Sequence, residues 1–242
     1  MDQIKTSSRG LYKFLYWLLP IPLHTFYPLR QEVYLALIRL TGFWQKRKFR
    51  KKDALFVNLG AGSAGRSGWV NVDMLPLAGI NCLYDCRKSL PFQNQSVSGI
   101  FCEHFLEHLD YTEEVPFFLS ECRRVLKEGA ILRIIVPDAE KYLNAYTDQG
   151  WGNLASIRPL TNGEVDAHYQ FKYRTKMELI NMVFRQGHRH KYAYDFETLR
   201  FVLLRYGFSQ VLHQDFTKSA LPTLAIDSET RASESLYVEA VK

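Results

Sequence analysis

The sequence predicts an α/β domain built on a mostly parallel seven-stranded sheet with helices on both faces. Three observations predict it. From Ala54 onward, short apolar runs alternate with stretches of helical spacing, as βαβ units require. Several of those runs end on a glycine or an acid, the residue types that gather where a parallel sheet presents its carboxyl edge to a ligand. The chain has 242 residues, 47% hydrophobic and 23% charged, which suits one substantial core better than two.

Each element follows in order. Leu55–Leu59 is a short apolar strand that runs into Gly60-Ala61-Gly62-Ser63-Ala64-Gly65. Val70–Asp73 is a second strand ending on an acid, and Ile80–Tyr84 a third, followed by Asp85. Val97–Cys102 is the fourth, followed by Glu103 and His104. Thr112 is expected to cap a helix whose first turn holds Glu113 and Glu114, where the helix dipole favours acids. Its apolar face runs through Phe118, Cys122 and Val125, and it should end near Gly129. Ile131–Val136 is a fully apolar fifth strand, stopped by Pro137 and Asp138. Residues 139–195 read as an insertion lying over the strand ends and shaping a substrate pocket, with an amphipathic stretch at Met177–Phe184. A helix from Phe196 to Tyr206 and strands at Phe208–His213 and Leu236–Val241 complete the domain. On this topology Gly60, Asp73, Asp85, Glu103 and Asp138 share one edge of the sheet.

Residues 1–53 stand apart from the domain at 54–242 as a helical, basic extension. They carry eleven Lys and Arg against three acids, whereas the remainder carries twenty against twenty-two. A charge so confined argues against nucleic acid as a partner of the whole fold. The apolar run Leu11–Leu23 is broken by Lys13, Pro20 and Pro22, so neither a spanning helix nor a signal peptide is expected. Gln31–Leu40 has helical spacing and should end near Gly42, before the basic run Lys46–Lys52. Two readings stay open: a pair of helices covering the domain edge with a solvated basic linker, or a peripheral anchor at the inner face of a membrane. Cys82, Cys86, Cys102 and Cys122 form no C-x-x-C pair and read as buried, reduced thiols of a cytoplasmic protein. His188 and His190 have a spacing that suits a metal, but the sequence offers no third ligand, so no metal is expected.

The loop glycines at 60, 62 and 65 spell G-x-G-x-x-G. A nicotinamide dinucleotide asks for an acid about 20 residues further on. Here Asp73 follows Gly60 by thirteen, and only nine residues, Ala61–Trp69, join the two strands. A parallel crossover with a full helix needs about a dozen or more, so the first helix should be reduced to a turn, with Gly65 incidental to it. No strong helix dipole then supports a pyrophosphate, which disfavours an NAD-dependent oxidoreductase. S-adenosylmethionine (SAM) has no phosphate. It needs close backbone approach at Gly60 and Gly62, an acid for the ribose hydroxyls at Asp73, and a polar group for adenine at Asp85.

The runs N-L-G-A-G-S, G-W-V-N-V-D, L-P-F at Leu90–Phe92, E-H-F-L-E-H-L at Glu103–Leu109 and R-V-L-K-E-G-A-I-L-R-I-I-V-P-D at Arg124–Asp138 together resemble a class I SAM-dependent methyltransferase. The type 11 methyltransferase-like proteins are the nearest subgroup. The resemblance is strong over Leu55–Asp138 and looser through Gly207-Phe208. It implies a Rossmann-like fold, with Gly60, Ala61 and Gly62 along the methionine and ribose of SAM. It further implies Asp73 on the ribose, Asp85 and the Cys86 backbone at the adenine, and Glu103 and His104 beside the methyl. Asn58 stands where the family often has an acid for the ammonium group, and Glu128-Gly129-Ala130 where it often has Pro-Gly-Gly.

Methyl transfer from a sulfonium relies mainly on positioning, and a hydroxyl acceptor adds a use for a base near neutral pH. His104, His108 and Asp138 are the catalytic candidates, with His188 and His190 behind them. Each has a structural alternative: His108 packing at the next helix, Asp138 capping the helix it begins, His188 and His190 lying on a solvated turn. Nucleobase amino-methylating enzymes often carry a proline-rich aromatic motif after the fourth strand, where this chain has E-H-F-L-E-H-L. The expected acceptor is therefore a small hydroxylated molecule, such as a sugar or glycan precursor. The non-enzymatic alternative is an inert methyltransferase-like binding module.

Overall fold

The computed structural model describes Trp17, residues 23–161 and residues 165–242. It forms two compact units, Met1–Thr41 and Gly42–Lys242. The second holds seven strands: β1 (Leu55–Leu59), β2 (Val70–Asp73), β3 (Cys82–Leu83), β4 (Val97–Glu103), β5 (Leu126–Pro137), β8 (Gln210–Gln214) and β9 (Ser235–Val241). They lie in the order β3-β2-β1-β4-β5-β9-β8. The first five pair in parallel, and β9 and β8 join antiparallel. The expected Rossmann-like α/β sheet is therefore present. Because β9 runs backwards, its first residue, Ser235, lies opposite Pro137 at the carboxyl edge.

Side-chain alternation sorts the strands onto two faces. Val57, Leu59, Ile100, Cys102, Leu132, Ile134 and Val136 face one core. It is closed by α2 (Glu114–Val125), through Val115, Phe118, Leu119, Cys122 and Val125, and by α6 (Phe196–Arg205), through Leu199, Val202 and Leu203. Phe56, Phe101, Ile131, Ile135 and Tyr237 face the other way. There the segment between β8 and β9 packs on them with Phe216, Leu221, Leu224 and Ile226, where the sequence suggested a second layer of helix. The insertion has its own core. α3 (Ala139–Thr147), α4 (Gly152–Ile157) and α5 (Lys176–Arg185) bring Tyr142, Leu154, Leu179, Ile180 and Val183 together around Tyr173. A short antiparallel pair, β6 (Leu160–Thr161) and β7 (Val165–Asp166), completes it.

Several boundaries differ from expectation, each for a physical reason. The helix expected at Gln31–Leu40 is α1, Leu23–Phe49, which passes through Gly42 and takes in Lys46, Arg47 and Lys48. Gly42 does not end it: a Cβ there would lie 3.1 Å from the Tyr84 ring, so the glycine permits close approach. The run Leu11–Leu23 lies largely outside the described residues. Thr112 does not cap α2. No side chain caps it; Asp110 instead holds the turn that precedes it, its carboxylate accepting from the backbone N–H groups of Thr112 (2.9 Å) and Glu113 (2.8 Å) and from the Thr112 hydroxyl. The helix ends at Val125, not near Gly129, because Leu126 already pairs with Val97. Gly129 instead sits at φ +73 in the irregular start of β5. β3 is only two residues long. Between β1 and β2 there is no helix, as the short connection required. The four cysteines are buried and unpaired with one another.

Candidate active site

The carboxyl edge divides into a β1–β2–β3 half and a β4–β5 half. In the first, β1 delivers the chain into Gly60, which adopts φ +68, and Gly62, at φ +51. Ala61 N–H still donates to the Val72 carbonyl (3.1 Å), so the loop keeps hold of β2 after β1 has ended. The Asp73 carboxylate accepts from Gly62 N–H (2.9 Å) on one oxygen and from Leu75 N–H (2.8 Å) on the other. Each oxygen keeps further acceptor capacity. Asn58, buried, donates to the Ala64 carbonyl (3.2 Å) and closes the loop on itself. Gly65 is not incidental: a Cβ there would lie 2.8 Å from the Gly79 carbonyl oxygen.

The glycines differ in what they serve. A Cβ on Gly60 would sit 2.5 Å from the Phe105 ring, so that glycine makes room for protein. A Cβ on Gly62 would meet nothing within 4 Å, so that backbone faces open space. A half-buried, fixed carboxylate beside exposed backbone suits a ribose diol, and this end of the loop fits SAM. The adenine end is less open. Asp85 is buried and held by Arg87, whose Nε lies 3.0 Å from one oxygen and whose Nη2 lies 3.2 Å from the other. Arg87 also reaches Glu114 (3.0 Å). Cys86 is buried, and burial pushes its thiol well above the usual range.

The second half is assembled from distant segments. Glu103, at the end of β4, accepts from the backbone N–H of Ser228 (2.8 Å). Burial raises its pKa, against the pull of that hydrogen bond. Ser228 is held there because Arg133, fully buried on β5, grips Asp227 through Nε (2.8 Å) and Nη2, and Glu239 through Nη1 (3.1 Å). His104, at φ +50, has both ring nitrogens engaged: Nδ1 with Glu107 Oε1 (3.2 Å) and Nε2 with Ser235 Oγ (3.0 Å). Asp138 caps α3, accepting from Lys141 N–H at 3.2 Å, with the Lys141 ammonium 3.6 Å away. His108 Nδ1 meets the Arg189 carbonyl (3.0 Å), and its ring packs edge-on against His190 with centroids 4.7 Å apart. His188 is exposed.

Sequence reasoning missed Glu107, which is 1% exposed. Burial works against its charge, but the His104 hydrogen bond and charge hold its pKa below the usual range. The signal was present as the repeated Glu-His of E-H-F-L-E-H-L, whose second pair turns in toward the first. Also missed was the ring cluster of Tyr111, Tyr192 and Tyr194, in which Tyr111 and Tyr192 stack at 4.1 Å.

A family model described as a methyltransferase domain, of the type 11 group, matches residues 76–134. That span runs from just before β3 into β5 and leaves out the glycine loop and Asp73. No curated protein matches the chain. Among solved structures, a SAM-dependent methyltransferase from Archaeoglobus fulgidus is similar at 19% identity and a TM-score of 0.47, covering 89% of this chain and 99% of that one. An S-adenosylmethionine-dependent methyltransferase from Mesorhizobium loti is similar at 16% identity and 0.44, covering 82% and 95%. The Burkholderia thailandensis 1,6-didemethyltoxoflavin-N1-methyltransferase, with its substrate and S-adenosylhomocysteine bound, is similar at 13% and 0.45, covering 86% and 79%.

Proposed function

We propose that this SAM-dependent methyltransferase transfers its methyl group to a small hydroxylated acceptor, such as a sugar or glycan precursor. The observation that carries the acceptor class is His104 beside the end of β4, whose Nδ1 is held by Glu107 and whose Nε2 already meets one hydroxyl, that of Ser235, which an acceptor hydroxyl would replace. A carboxylate that orients an imidazole is the usual support for a group that accepts a proton. Deprotonating a hydroxyl needs such a group. SAM supplies the electrophilic methyl, and the chain's task is to align the acceptor oxygen and take its proton. Gly60, Ala61 and Gly62 would line the methionine and ribose, Asp73 would accept from the ribose hydroxyls, and Asp85 with the Cys86 backbone would border the adenine. Glu103 would sit beside the methyl. Asn58 acts on the loop, and Asp138 and His108 are supporting groups.

The extension at 1–53 is proposed as a peripheral contact with the inner face of a membrane, in an otherwise cytoplasmic protein. Leu29, Val33, Leu37 and Leu40 are all exposed at helical spacing. Phe43 and Trp44 are also exposed, ahead of the run Lys46–Lys52. No helix among the described residues is long and apolar enough to cross a membrane. Residues 139–195 are proposed to shape the acceptor pocket.

Calorimetry with SAM and transfer of labelled methyl to a panel of sugars test the reading together. Asp73→Asn is expected to weaken SAM binding by about 10- to 100-fold, the worth of a charge-assisted hydrogen bond. His104→Asn should leave SAM affinity unchanged and lower kcat. SAM binding without transfer to any of a broad acceptor panel would favour an inert module, and unchanged affinity in Asp73→Asn would remove the cradle.

A further inference from the structure

We propose that Glu107, His108 and His190 form a binding site for one divalent transition-metal ion of the zinc class. The inference does not need the methyl-transfer reading, although it shares Glu107 with it as the partner of His104. One potential ligand atom from each of the three residues lies within 4.8 Å of the others. A tetrahedral ion with bonds of about 2.0–2.1 Å holds its donors about 3.4 Å apart, so ring shifts of roughly an ångström close the site.

An independent observation points to a ligand. Glu107 is 1% exposed, and its Oε2 is among the few buried side-chain atoms of the described residues with no hydrogen-bond partner. A carboxylate oxygen left bare in the interior is costly, so its presence calls for an occupant. Its other oxygen is taken by His104, as the outer partner of a metal-bound carboxylate would be.

The histidines are oriented in the same sense. His108 Nδ1 faces the Arg189 carbonyl at 3.0 Å, and His190 Nδ1 faces the Val183 carbonyl at 2.5 Å. A carbonyl only accepts, so each Nδ1 carries the hydrogen and donates, and each Nε2 presents its lone pair. Glu107 and His190 line a cavity of about 10 Å³, room for a single ion or water. His108 is half-buried and gives a way in. Two imidazoles and a carboxylate are a borderline-soft donor set that suits zinc and leaves a fourth position open. Glu107 and His108 belong to the turn after β4, whereas His190 comes from the insertion. A bound ion would therefore pin the insertion to the sheet and stabilise the folded chain. The sequence paired His190 with His188; the fold turns His190 toward Glu107 and His108 instead.

The test uses the full chain, stripped with a chelator and titrated with Zn²⁺ by calorimetry and with Co²⁺ as an optical probe. One ion per chain is expected, with a cobalt spectrum of tetrahedral intensity and a rise in melting temperature. Glu107→Gln and His190→Ala should each weaken binding by about tenfold or more. His188→Ala should leave it unchanged. Should His190→Ala fail to fold, His108→Ala, at a half-buried position, carries the same expectation. No stoichiometric binding to the folded wild type, undiminished binding in these variants, or thiolate charge-transfer absorption from cobalt on cysteine would each overturn the assignment.

Discussion

The two halves of the carboxyl edge are built in opposite ways. Around β1 and β2 the hydrogen bonds that shape the loop join residues 5, 6 and 11 apart: Arg66 with Asn71, Asn58 with Ala64, Gly62 with Asp73. Around β4 and β5 they join residues 81, 125 and 131 apart: His108 with Arg189, Ser228 with Glu103, His104 with Ser235. The first half is thus shaped mainly by one short stretch of chain, with a few longer ties: Gly60 against Phe105, Gly65 against Gly79, and Arg66 donating to the Ile226 carbonyl (2.6 Å). The second half exists only while the insertion and the β8–β9 segment are docked. Local opening of either segment should dismantle the second half, while the first keeps the short-range hydrogen bonds that shape its loop.

The largest expected effect breaks the second half alone. Arg158 is buried between Asp166 (2.7 Å) and Glu234, and Glu234 also accepts from the Tyr142 hydroxyl (2.6 Å) and from Arg231 (2.6 Å). Arg158→Met leaves the buried Asp166 without a guanidinium and Glu234 with Arg231 alone, and should cost about 3–5 kcal/mol. Hydrogen exchange should then show protection lost over 139–195 and 228–235 while 55–73 stays protected. Uniform loss across both regions would break the comparison. Acid probes the same network. Burial alone would raise the Glu234 pKa, but the charges of Arg158 and Arg231 bring it from 4.5 to about 2. A depressed carboxylate stabilises the fold fully above its unfolded value. That contribution should therefore be complete above pH 4.5 and fall away as pH drops toward about 2. Arg158→Met should flatten this acid dependence.

Next in size is a pair of glycine substitutions in the first half. Gly60→Ala adds a Cβ 2.5 Å from Phe105 at φ +68. Backbone strain and overpacking together should cost about 3 kcal/mol. Gly62→Ala meets no atom within 4 Å, at φ +51. It should cost about 1 kcal/mol, from the left-handed backbone alone. Chemical denaturation ranks the two. SAM calorimetry sharpens the result: Gly62→Ala, nearly neutral for stability, should weaken SAM if that open space is where the ligand lies.

This division also explains what the sequence made legible. Asp73, Gly60 and the shortened crossover were readable because spacing along the chain is itself the geometry there. Nothing along the chain links His104 to Ser235, or Glu107 to His190, so those contacts had no sequence signature. Thr112 caps nothing because the turn ahead of the helix closes on Asp110 first, and the Thr112 hydroxyl donates to that carboxylate. The second face went unread for a related reason. Phe216, Leu221 and Leu224 lack the 3.6-residue period by which a covering helix is recognised, yet they cover apolar side chains as a helix would.

The smallest expected effect on SAM affinity asks whether Asn58 belongs to the ligand or to the loop. If it stands in for an acid at the ammonium group, Asn58→Asp should restore a charge and tighten SAM. Its side chain, however, is 3% exposed and donates to the Ala64 carbonyl at 3.2 Å. A carboxylate there cannot donate, and it would face that carbonyl oxygen as a second acceptor. The expected outcome is a loss of stability of about 3 kcal/mol or more, because a buried carboxylate is left without a donor. SAM affinity should be unchanged or slightly weaker. A gain in affinity would place Asn58 at the ligand, and the loop would then be shaped by its contents as well as by its own chain.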